Sequence, residues 1–157
     1  MKNKRLEVLF WSVAFPGFGQ LLNHQFLKGI FFILLEVVIN VYSHFNTAIL
    51  LSFQGKIAEA AETTDYQWLM FYPCIYTFAI WDAYKQAGAD SDTPPLSFLP
   101  FAFSAYFVTV GVIYSAEFKV NGVLLGPIWL PILFLIPGIG IGLLVRTIIM
   151  RFVAVKT

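Results

Sequence analysis

Long apolar stretches occupy most of this chain and leave little room for charge, which constrains its fold more than any other feature. The runs are Leu6 to Leu22, Gly29 to Phe53, Trp68 to Tyr84, Leu96 to Ala116 and Val123 to Val145, joined by short polar segments. Only 12% of the 157 residues are charged and 59% are apolar, against roughly a quarter charged in soluble domains. Such a sequence predicts an all-α integral membrane bundle, because a backbone in lipid must satisfy its own hydrogen bonds. At about 1.5 Å per residue the second, fourth and fifth runs can cross a hydrocarbon core of roughly 30 Å. The third can do so with Tyr66, Trp68, Trp81 and Tyr84 at the interfaces.

The first run is different, since Pro16-Gly17-Phe18-Gly19 sits in its middle and both residue types disfavour a helix interior. Charge placement decides how it is read. If every run crosses, the 10 Lys and Arg divide evenly between the two sides. If the first run enters and returns, Lys2, Lys4, Arg5, Lys28, Lys85, Arg146, Arg151 and Lys156 share one side, leaving Lys56 and Lys119 opposite. The second distribution is the one the positive-inside rule expects. The sequence therefore predicts one polytopic domain over residues 1–157, with four transmembrane helices at 29–53, 67–84, 96–116 and 123–145. A broken re-entrant or interfacial hairpin at 1–28 packs beside them. Both termini are expected in the cytoplasm, and the acidic loop Gln54 to Gln67 outside. Glu7 and the lack of a small-residue cleavage site argue against a removed signal peptide.

Several function classes are disfavoured. A net charge of +1 offers no basic field for nucleic acid. The single cysteine, Cys74, permits neither an internal disulfide nor a Cys-rich metal site. No hydrolase elbow, zinc-protease helix or phosphate-binding loop occurs, and Ser43 and His44 are adjacent and face apart, so no catalytic residue, metal or cofactor is expected.

Two groups of residues could carry function. Glu36, Asn40, Ser43, His44 and Thr47 recur at helical spacing on one face of the second run. A carboxylate at that depth costs at least about 2.5 kcal/mol, so Glu36 must be neutral, paired or wet. The face reads either as a proton or small-cation path, or as interhelical hydrogen-bond glue with Tyr72, Tyr76 or Ser104 as partners. Asp82, at the cytoplasmic end of the third run, can accept bonds from Lys28, Gln20, Asn23 or free backbone N–H groups and so pin the hairpin.

Pro-Gly-x-Gly occurs again at Pro137 to Gly140, each copy followed within four residues by Leu-Leu, which reads either as a faint repeat of the kind secondary transporters show or as helix kinks and close packing. Asp90 and Asp92 in the inner loop read as a solvated linker.

The run Pro-Gly-Phe-Gly-Gln-Leu-Leu-Asn-His-Gln-Phe-Leu-Lys-Gly, followed later by Trp81-Asp82-Ala83, resembles small bacterial membrane proteins related to the two-transmembrane hairpin domain. The resemblance covers residues 15–29 and 81–84. It implies Pro16, Gly17, Gly19, Gln20, Asn23, Lys28, Gly29 and Asp82 as the positions to watch, and a bacterial cytoplasmic (inner) membrane as the location. This chain departs from that pattern in having Leu22 where an aromatic is usual, His24 in place of a turn glycine, and two further runs. The expected partners are membrane lipid and either further copies of the chain or a larger membrane complex. The leading expectation is a non-catalytic accessory, assembly or structural subunit. A small oligomeric transporter or channel subunit using the Glu36 face, and a lipid-handling protein, are the alternatives.

Overall fold

The computed structural model describes residues 2–88 and 93–154, so Asp90, Asp92 and Lys156 lie outside the described residues. The architecture is all-α apart from one two-residue ladder. In chain order the elements are α1 (Lys2–Ala14), α2 (Phe18–Leu22), α3 (Phe26–Ser43), α4 (Phe45–Phe53), α5 (Ile57–Thr63), α6 (Tyr66–Leu69), α7 (Tyr72–Gln86), α8 (Leu99–Tyr114), β1 (Lys119–Val120), β2 (Val123–Leu124) and α9 (Gly126–Ala154).

Two of these, Phe26–Ser43 and Gly126–Val153, are long and apolar enough to cross a membrane, with mean hydropathy of 1.8 and 2.4. Both leave most of their surface uncovered by the rest of the protein, and large apolar side chains such as Phe31, Leu34, Tyr106, Ile113, Ile136 and Leu144 point outward.

Four helices run alternately up and down. Phe32 meets Phe78, and the Asp65 N–H donates to the Ser43 carbonyl at 3.1 Å, so α3 and α7 are antiparallel. Trp81 meets Phe98 at one end of α7, while Ser115 Oγ reaches the Tyr66 hydroxyl at the other, which sets α8 antiparallel to α7. Helix α9 returns along α8 with Gly142 against Pro100, Gly138 against Ser104 and Gly111 against Pro131. Each of those crossings leaves no space for a β-carbon: one at Gly142 would lie 2.6 Å from Pro100 Cα. Small residues at such steps allow backbones to approach closely, a packing mode that does not depend on excluding water.

The same contacts sort the charges. Arg5 lies over the Tyr84 ring, Lys28 pairs with Asp82, Lys85 lies over Trp81 and Arg146 donates to the Pro95 carbonyl, all at one end of the bundle. Lys56, beside the α5–α9 contact, and Lys119, in the β-ladder, belong to the opposite end with Glu59, Glu62 and Asp65.

Three boundaries differ from the sequence reading. The run 29–53 is two helices, because His44 takes the left-handed conformation (φ 56°, ψ 31°) and caps α3 through bonds back to Asn40 and Val41. After this break α4 crosses the end of the bundle, with Phe45 against Tyr72 and Phe53 against Trp129. The run starting at Val123 opens as a β-hairpin, since Asn121 and Gly122 both have positive φ, the requirement of a tight hairpin turn; the helix begins only at Gly126. The third run is likewise divided, with Asp65 capping α6 through the N–H groups of Gln67 and Trp68 and Pro73 starting α7.

Candidate functional site

The N-terminal segment folds as an in-and-out hairpin against α7. From Arg5 beside Tyr84, α1 runs inward until the Tyr76 hydroxyl donates to the Val13 carbonyl. The chain reverses at Pro16-Gly17, where Gly17 adopts φ 101°, a conformation that favours glycine. Helix α2 then returns to the starting level, where Asn23 Nδ2 donates to the Ala83 carbonyl at 2.8 Å. Gly17 abuts the Gly29 carbonyl and Ile33 of α3, while Gly19 faces Ser12 and Ala83, so the two glycines let three helices converge.

Asp82 sits at the closing point of this hairpin. Its Oδ1 accepts from Lys28 Nζ at 3.0 Å and its Oδ2 from Gln20 Nε2 at 3.2 Å. Gln20 is wholly buried and also donates to the Ala79 carbonyl at 2.8 Å. The site thus joins α2, the start of α3 and the last turns of α7. Asn23 bonds the neighbouring Ala83 backbone, not the Asp82 carboxylate. Pro16 is buried at the reversal and Gly29 packs on Leu21. Chemically this cluster pairs a carboxylate with a cation and an amide, while the buried amide oxygens of Gln20 and Asn23 accept no hydrogen bond among the described residues.

The second group is divided by the break at His44. Glu36 and Ser43 are buried, Asn40 is half-buried, and His44 and Thr47 are exposed. The expectation of one continuous polar face therefore fails beyond Ser43, because a left-handed residue resets the helical phase. Glu36 instead meets Tyr72 of α7, whose hydroxyl approaches its carboxyl group. Asn40 Nδ2 donates to Asn46 Oδ1 at 3.1 Å across the break. Of the other partners expected for this face, Tyr76 bonds Val13 and Ser104 bonds the Pro100 carbonyl of its own helix.

Glu36 and the two asparagines line a groove of about 320 Å³, together with Phe15, Val37, Val41, Phe45, Ile49 and Tyr72. Its wall from Phe15 comes from the reversal of the hairpin, so the two groups of residues are neighbours in space. Neither that link nor the roles of Tyr76 and Ser12 is legible in the periodicity of the chain. The only sequence signal for Phe15 was its position next to Pro16-Gly17.

Among the described residues no three His, Cys, Asp or Glu side chains converge on a point where a metal ion would be held. Comparison with protein-family models, curated proteins and solved structures gives no match.

Proposed function

We propose that this chain is a non-catalytic protein of the bacterial cytoplasmic membrane, crossing it four times through α3, α7, α8 and α9, and acting as an accessory, assembly or structural subunit. The observation that carries the reading is the Asp82 cluster. Its carboxylate is paired with Lys28 and Gln20, and the Gln20 amide also bonds the Ala79 carbonyl, so its charged groups hold a hairpin that enters and returns on one side.

Further support comes from the uncovered apolar surface of α3 and α9. The two basic ends are unequal, with Arg5, Lys28, Lys85 and Arg146 together at the end assigned to the cytoplasm. Helices α7 and α8, of 15 and 16 residues, extend about 22–24 Å, so the four-span reading has the bilayer thin around them, at a cost of fractions of a kcal/mol per Å. The resemblance of residues 15–29 to the two-transmembrane hairpin group agrees with this placement.

Native mass spectrometry of protein gently extracted from its own membrane tests the role. A stoichiometric foreign subunit, lost when Asp82→Ala releases the hairpin, is the expected result. A bare monomer whose assembly and stability are unaffected by Asp82→Ala would remove the basis of the proposal.

One observation favours a second reading, a small oligomeric transporter or channel subunit: Glu36 is a carboxyl group buried in a helix of lipid-facing composition. In that case Glu36→Gln abolishes proton or cation flux in reconstituted vesicles without changing expression. The groove weighs against it, since two of its lining residues, Val37 and Val41, are exposed on the outer face of α3.

A further inference from the structure

The groove at Glu36 has a composition that selects its occupant. Its opening is lateral: Val37 and Val41 are 49% and 62% exposed, on the side that faces acyl chains if α3 spans. Its floor is Glu36, which is 7% exposed, with the Tyr72 hydroxyl beside it and the Asn40–Asn46 amide pair near its outer end. Three aromatic rings line it, Phe15 from the hairpin reversal, Phe45 from α4 and Tyr72 from α7, the last two 4.8 Å apart. A volume of about 320 Å³ lies at the small end of the range for small-molecule sites.

Among the described residues no Lys, Arg or His lines the groove. A phosphate-bearing headgroup would therefore enter without a counter-charge. An ammonium headgroup would require an ionised Glu36 at a depth where both ions lose hydration, a cost that attraction between them repays only in excellent geometry. An uncharged head meets neither penalty. It needs oxygen atoms to accept from the one O–H that the Glu36–Tyr72 pair leaves free and from an amide N–H, a flat shape to lie against aromatic rings, and a long apolar tail to leave past Val37 and Val41.

We propose that this groove binds the ring of an isoprenoid quinone, with the Pro16-Gly17 reversal serving to place Phe15 as one wall. The proposal rests on the four-span reading, which puts the opening in lipid. It is a binding site with no electron transfer assigned to the protein.

The test uses the whole chain in nanodiscs of synthetic phosphatidylcholine free of quinone, titrated with a short-tailed ubiquinone while tryptophan fluorescence and retained quinone are measured. Saturable quenching with about one quinone retained per chain is expected. Glu36→Gln, which keeps a neutral hydrogen-bonding group, changes the apparent Kd by less than about threefold, whereas Glu36→Leu and Asn46→Ala each weaken it about tenfold or more. Asn46 is exposed, so its variant folds even if Glu36→Leu does not.

Non-saturable quenching by wild type overturns the proposal. So does equal displacement by diacylglycerol, which would mean that the groove takes an acyl chain and not a ring. Displacement by phosphatidylethanolamine that Glu36→Gln abolishes overturns it too, by showing an ionised cation site. Thiol labelling at positions 24 and 59 reads the span arrangement separately, so failure of the four-span reading is distinguishable from failure to bind quinone.

Discussion

Lys28 Nζ stands 3.0 Å from Asp82 Oδ1, and this pair joins the first turn of α3 to the end of α7 that receives the returning hairpin. The two partners are unequal. The Lys28 side chain is 50% exposed and that of Asp82 only 10%, with buried Gln20 as its second donor. Removing half-exposed Lys28 leaves a carboxylate that still holds Gln20 and opens space beside it for water, so Lys28→Ala is expected to cost about 1 kcal/mol. Removing Asp82 strands the buried amide, and Asp82→Ala is expected to cost about 2 kcal/mol, with Asp82→Asn between. Chemical unfolding in detergent micelles measures all three. A larger loss for Lys28→Ala than for Asp82→Ala would place the stabilisation in the exposed ion pair.

The two Pro-Gly-x-Gly copies are predicted to respond differently. A β-carbon on Gly17 would lie 2.5 Å from the Gly29 carbonyl oxygen, at a φ of 101° that L residues avoid, and one on Gly19 would lie 2.7 Å from Ala83 Cβ. Each alanine variant is expected to cost about 2 kcal/mol or more through strain and overpacking. In the second copy Gly138 is equally confined, against Ser104, but Gly140 has open space around it. Gly140→Ala is therefore expected to be neutral or to stabilise by up to about 1 kcal/mol through helix propensity. Melting temperatures of the four variants check the order. Equal losses at Gly19 and Gly140, the corresponding positions, would restore the repeat that unequal packing otherwise dissolves.

His44 supplies a prediction whose sign depends on the break in the second run. As a left-handed residue between α3 and α4, it carries a strain that glycine lacks, so His44→Gly is expected to stabilise by about 1 kcal/mol and His44→Val to destabilise by at least as much. A helix continuous from Gly29 to Phe53 would invert the first sign, since glycine in a helix interior costs about 1 kcal/mol relative to alanine. Equilibrium unfolding of the two variants beside His44→Ala decides between these outcomes.

Much of the architecture can be read from residue types. The hairpin is legible because Pro16 and Gly17 interrupt an apolar run and because the basic residues gather on one side only if that run returns. The approach of Lys28 and Gln20 to Asp82 follows from polar groups in apolar surroundings needing partners. What escapes is set by single backbone conformations. Nothing in the periodicity of residues 29–53 distinguishes a straight helix from one stopped at His44, because the polar side chains that suggest a face also tolerate a turn. Asn121-Gly122 did carry a hairpin signal, masked by the apolar run that follows. The groove is illegible for another reason: Phe15, Glu36, Asn46 and Tyr72 come from four segments, and only their packing brings them together.

The hairpin also makes a prediction about sidedness that does not depend on ligand or partner. Helix α1 has 13 residues and so extends about 20 Å, short of a core of roughly 30 Å. Asn23 bonds Ala83, the residue next to Asp82, so His24 belongs to the same level as Arg5 and Lys85 and not across the bilayer from them. The loop after α4 lies at the other end, where Ile57 touches Gly126. In a Cys74→Ala background, an impermeant maleimide applied to intact cells should therefore label Glu59→Cys and leave His24→Cys unlabelled until the cells are opened. Glu59 is the suitable outer position because its side chain is exposed, whereas Ala60 beside it is fully buried. Labelling of position 24 from outside while position 59 stays protected would mean that the first run spans, dividing the basic residues evenly and removing the charge bias on which the four-span arrangement rests.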